Sequence, residues 1–166
     1  MRSSSPRILQ VWLPPILWLG VIAWESFQLS SYVTVWWLYR SFNAIHISLS
    51  YAQVESVNHL LRKLGHFTGY GVLTLLFYRA WFYTLNSGGD TARFRLRCAT
   101  LALLVTLLTA MADEWHQSND VTRTGTPRDV VLDMAGGITA QLLAFGIYAR
   151  WRRQKSTQPS SISTQS

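Results

Sequence analysis

Five of the eight acidic residues, Asp113, Glu114, Asp120, Asp129 and Asp133, fall within 21 consecutive positions. Lys63, His66 and Tyr70 form a second polar group, spaced i, i+3 and i+7. On helices, residues three, four or seven apart share a face, so Lys63, His66 and Tyr70 make one polar stripe. Asp113, His116 and Gln117 make another with Glu114 beside them, and Asp129 and Asp133 a third. A histidine oriented by a carboxylate can serve as a general base or nucleophile. His66, Asp113 and Glu114 are therefore the candidate catalytic residues. Lys63, Arg123 and Arg128 suit a phosphate or carboxylate, the arginines in bidentate fashion. Tyr70, Gln117, Asp129 and Asp133 would orient those cations or bond a ligand, completing the candidate ligand-binding set. A metal version of the site would draw on His66, His116, Asp113 and Asp129. No recognised metal-binding spacing such as His-Glu-x-x-His occurs, so no metal or other cofactor is assigned. The competing reading is structural: polar side chains that only hold helices together.

The composition says what must position these stripes. Of 166 residues, 49% are hydrophobic and 14% charged. Soluble domains carry about 25% charged residues, so the chain does not read as an ordinary soluble enzyme. Its 22 aromatic residues exclude a disordered chain. The net charge of +7 would suit nucleic acid, but the placement of the apolar residues points to lipid instead. Cys98 is the sole cysteine, so no intramolecular disulfide and no cysteine-rich zinc site is possible.

A membrane helix needs roughly 20 mostly apolar residues. Four stretches approach this, at about 8–24, 65–85, 96–112 and 130–149. The fold expected is an all-α integral membrane bundle of about four transmembrane helices plus an interfacial or re-entrant segment. The first stretch has the basic start of a signal peptide. It ends in Glu25-Ser26-Phe27 rather than a cleavage site and reads as an uncleaved span. Pro14 and Pro15 should kink or break it. Residues 32–50 would dip into or lie on the membrane, and 51–62 read as a short amphipathic helix leading into the second span. Gly65 with Gly69, and Ala140 with Ala144, are small pairs expected to let helices approach closely. His46, His59, Glu55 and Asp90 read as interfacial or solvated. Residues 1–153 form one domain, and the polar stretch 154–166 reads as a disordered tail.

Lysines and arginines near span ends set orientation. With the N-terminus inside, ten of the 15 basic residues fall inside and five outside. Both termini are then cytoplasmic, and the polar stripes gather at the outer face.

The motifs resemble a known family. Lys63-Leu64-Gly65-His66-Phe67-Thr68-Gly69-Tyr70, followed by a leucine-rich span, is similar to the first signature of VanZ-like membrane proteins. Asp113-Glu114-Trp115-His116-Gln117 resembles their Asp-Glu-x-x-Gln signature, and Arg123-Thr124-Gly125-Thr126-Pro127-Arg128-Asp129 their Arg-x-Gly-Ser/Thr-x-x-Asp turn. Asp133 and Gly136 follow at the family spacing, although Asp133 stands where many members carry Asn. The resemblance implies a small multi-span protein of the bacterial cytoplasmic (inner) membrane. The family's namesake is linked to low-level resistance to teicoplanin, a glycopeptide acting on the cell envelope. The expected partners are membrane lipids, including an anionic lipid or lipid-linked envelope precursor at the polar site, and not nucleic acid. The alternatives are a membrane-embedded hydrolase or transferase acting on such a lipid, and a purely structural charge network. A proton-coupled carrier ranks lowest, because the polar groups gather at one face.

Overall fold

The computed structural model describes residues 8–28, 31–85, 90–119 and 126–156. Among these, the secondary structure is five helices and no strand. They are α1 (Ile8–Gln28), α2 (Ser31–Ala44), α3 (Tyr51–Leu85), α4 (Ala92–Ser118) and α5 (Pro127–Ser156). The all-α bundle expected from the apolar stretches is the fold observed.

The bundle is apolar on the outside. Leu9, Leu17 and Trp24 on α1, Leu104 and Leu108 on α4, and Leu142, Leu143 and Ile147 on α5 are all exposed. Water would not tolerate so continuous an apolar surface, whereas hydrocarbon does. Among the described residues, three helices hold stretches long and apolar enough to cross a membrane: Ile8–Ser26, Ala92–Ser118 and Pro127–Lys155. The stretch 65–85 was expected to be a fourth. It forms the second half of α3, whose composition is less apolar because α3 is the hub of the bundle. It packs against α1, α2, α4 and α5. Tyr70, Leu73, Thr74, Phe77 and Ala80 are buried within the protein rather than offered to lipid.

Several sequence expectations shift in position. Pro14 and Pro15 lie inside a continuous α1 rather than at a break. Residues 51–62 are not a separate helix but the first turns of α3, which runs unbroken for 35 residues. A capping box starts it: the Ser50 backbone N–H donates to Gln53 Oε1, and the Gln53 N–H donates to Ser50 Oγ. Within 32–50 the structure forms α2. Its 14 residues rise about 21 Å, short of the roughly 30 Å hydrocarbon core. It ends where His46 takes a positive φ of 59°. At the other end of the chain, α5 continues to Ser156, and the rest of the expected tail lies outside the described residues.

Close packing comes from glycines other than the expected pair. A Cβ built on Gly69 would meet nothing within 4 Å, and one on Gly65 only Glu25 at 3.9 Å. At Gly136 it would overlap the backbone carbonyl of Phe67, and at Gly137 it would collide with Thr74. Backbone-to-backbone contact between α3 and α5 therefore runs through Gly136, with Gly71 and Ala140 beside it. Buried hydroxyls join α3 to α4 in the same layer. Thr74 and Thr106 lie 2.9 Å apart, so one hydroxyl donates to the other, which in turn donates to the carbonyl one turn back on its own helix, Tyr70 for Thr74 or Ala102 for Thr106. Trp18 Nε1 donates to the Gly69 carbonyl at 2.9 Å, fixing α1, and Gln141 Nε2 donates to the Ala99 carbonyl at 3.2 Å, fixing α5 to α4.

Candidate functional site

Four helices bring polar groups to one end of the bundle, where α1 and α4 end and α5 begins. Asp113, on the last turns of α4, accepts from two neighbours. Ser26 Oγ on α1 donates to Oδ1, and the Tyr70 hydroxyl on α3 donates to Oδ2 at 3.0 Å. Tyr70 is fully buried, and its ring stacks on His66 with 6.1 Å between centroids. His66 in turn places Nδ1 3.3 Å from Asp133 Oδ1 on α5. The two are close enough for charge pairing but are not aligned as a hydrogen bond.

The start of α5 fixes the next residues. Thr126 precedes the helix, and Pro127 opens it, where its missing N–H costs nothing. The Thr126 hydroxyl donates to Asp129 Oδ2 at 2.9 Å, and the Thr126 backbone N–H donates to Glu114 Oε2 at 2.8 Å. Glu114 is thus pinned through one oxygen, across the loop between α4 and α5. Lys63 reaches Asp129 Oδ1 at 3.5 Å, with 45% of its side chain still exposed.

Of the residues singled out in the sequence, Lys63, His66, Tyr70, Asp113, Glu114, Asp129 and Asp133 form this one connected cluster. Gln117 is buried on the same turn of α4, and Arg128 is exposed at the start of α5. Arg123 lies outside the described residues. The set His66, His116, Asp113 and Asp129 is not the one brought together. Asp113 is occupied by Ser26 and Tyr70, and Asp129 by Lys63 and Thr126. Glu114 and Asp133 converge on His66 instead. Two positioning groups had gone unassigned, Ser26 and Thr126.

The cluster borders two clefts. A narrow one between α1, α3 and α4 is lined by Glu25, Ser26, Arg62, His66, Tyr70 and Asp113. Its free volume is about 20 Å³, room for roughly one water. A wider one of about 290 Å³ separates α2 from the first half of α3 and is lined by Tyr32, Tyr51, Glu55, Asn58, His59 and Arg62. Arg62 lines both. Glu55 and His59, read as interfacial or solvated in the sequence, are exposed residues on this cleft wall.

An apolar exterior around an interior polar cluster at one end defines a helical integral membrane protein with a membrane-boundary site. The chain belongs to the VanZ/LLP1 family, whose model matches residues 11–149. No curated relative and no solved structure matches it.

Proposed function

We propose that this VanZ-like membrane protein binds the headgroup of an anionic lipid, a phospholipid or a lipid-linked envelope precursor, at the end of the bundle that gathers its acids. The observation that carries the reading is half-exposed Lys63 at this end, next in sequence to Arg62 on the shared wall of the two clefts. The wider cleft has the volume for a headgroup and the aromatic walls to cover it, whereas the narrow one admits only water or an ion. Lys63 and Arg128, both exposed at this end, would meet its phosphate, and Arg123 belongs to the same sequence motif. Asp129 holds Lys63 in place. The two-to-one distribution of basic residues supports an outward-facing site, with both termini in the cytoplasm of a bacterial cell. With a cell-wall precursor as ligand, the site would have a direct connection to glycopeptide resistance.

A second reading is a hydrolase or transferase acting on such a lipid. The His66–Asp133 contact beside Glu114 favours it, because a histidine between carboxylates suits proton transfer. One experiment addresses the binding proposal: native mass spectrometry of the full chain in mild detergent, wild type beside Lys63→Ala/Arg128→Ala. The expected result is an anionic lipid retained by the wild type and depleted in the variant. Equal retention by both would overturn it. The mass of the retained species separates phospholipid from precursor and names the substrate for a turnover assay.

A further inference from the structure

Two buried carboxylate oxygens of the cluster, on Asp133 and Glu114, lack a partner among the described residues. Asp133 is fully buried; its Oδ1 faces His66 Nδ1 at 3.3 Å, and its Oδ2 has no hydrogen-bond partner among the described residues. Glu114 is buried too. Its Oε2 takes the Thr126 N–H, while Oε1 has no partner. His66 Nδ1 is likewise without an aligned hydrogen bond. Leaving a buried carboxylate unmatched costs several kcal/mol, and these groups come from three different helices. One ligand atom from each lies within 4.8 Å of the other two.

We propose that His66, Glu114 and Asp133 bind one divalent cation of the Zn²⁺ or Mn²⁺ type. Two carboxylates and a neutral imidazole present a charge of −2 to a 2+ ion. One nitrogen and two carboxylate groups suit a borderline metal better than Ca²⁺, which takes six to eight oxygens. Ligand atoms of a tetrahedral zinc site stand roughly 3.3 Å apart at metal–ligand distances of about 2.0–2.2 Å. The His66–Asp133 separation of 3.3 Å already meets this, and a small side-chain movement would bring Glu114 to it. The outer contacts are those a metal site uses to hold its ligands. The Thr126 N–H fixes the Glu114 carboxylate with one oxygen left inward, and Tyr70 stacks against the His66 ring. Three protein ligands would leave a position open for water or for a ligand phosphate. The site does not depend on headgroup binding, since Lys63 and Arg128 are not among its ligands.

The test is metal content and affinity. Full-length protein in detergent is stripped with chelator, titrated with Zn²⁺ and separately with Mn²⁺ by calorimetry, and measured by elemental analysis. Wild type should bind one equivalent of at least one of these ions and melt at higher temperature with it. Asp133→Asn should lose the binding, and Glu114→Gln should bind at least about tenfold more weakly. Asp90→Asn, at the opposite end of the bundle, should bind as wild type does. Should Asp133→Asn fail to fold, Glu114→Gln alone carries the comparison. Wild type that takes up neither ion, or takes up as much as Glu114→Gln, would overturn the site and leave a charge network in its place. Loss of lipid in Lys63→Ala/Arg128→Ala with metal retained would separate the two proposals.

Discussion

The two ends of the bundle handle charge in opposite ways. At the end where α3 stops and α4 starts, Arg95 Nε lies 2.9 Å from Asp90, and its guanidinium sits 4.5 Å from the Tyr148 ring centre. The Tyr148 hydroxyl also donates to Asp90 at 3.0 Å. Arg79 stacks over Tyr83, and Lys155 over Trp151. These charges keep contact with solvent: Asp90 retains 38% of its side-chain exposure. Arginine and lysine clamped on interfacial rings are the usual anchors of a membrane helix. The acidic end instead withdraws Asp133 completely, with one oxygen on His66 and the other unmatched. Selection for stability alone would replace such a carboxylate with something apolar. Under the proposed readings, the first end is the anchorage and the acidic end the working one.

Substitutions can sharpen or break that contrast, and the largest effect is expected between the ends. Gly136→Val would drive side-chain carbons into the Phe67 backbone and prise α3 from α5. It should cost 3 kcal/mol or more, roughly the upper range for overpacking, visible as loss of folded protein in detergent. Asp113→Ala should cost about 2–3 kcal/mol in SDS-titration unfolding. It strips Ser26 and the buried Tyr70 hydroxyl of their shared acceptor. Arg95→Ala, at the anchoring end, should cost only about 1 kcal/mol, since its ion pair and ring contact are partly exposed. Lys63→Ala should change stability by less than about 0.5 kcal/mol while weakening anionic-lipid retention. An Arg95→Ala protein less stable than Asp113→Ala would reverse the assignment of the two ends.

Much of this was legible in the residues themselves. The spacing of His66 and Tyr70, and of Asp129 and Asp133, already placed each pair on one helix face, and the structure keeps them there. Spacing within a helix says nothing about rotation between helices. That is why the partner of His66 was open among several acids, and why Asp113 turns to Ser26 and Tyr70 rather than to the histidine. The same limit explains the glycines. Gly65 and Gly69 have the spacing of a packing pair, but that face of α3 meets the Trp18 indole and Glu25, while Gly71 faces α5. The fusion of 51–62 with 65–85 was hidden because Arg62 and Lys63 look like the end of a span. They sit on a helix that simply continues past the apolar layer.

α3 is about 52 Å long at 1.5 Å per residue, and it is the third of the five described helices in chain order. α5, the last of the described helices in chain order, supplies Asp133 and the Gly136 seat against Phe67. A chain stalled after α4 would carry His66, Asp113 and Glu114 without the helix that completes their cluster. The cluster is complete only with α5 in place, and without it the face of α3 at Phe67 that Gly136 covers would be open.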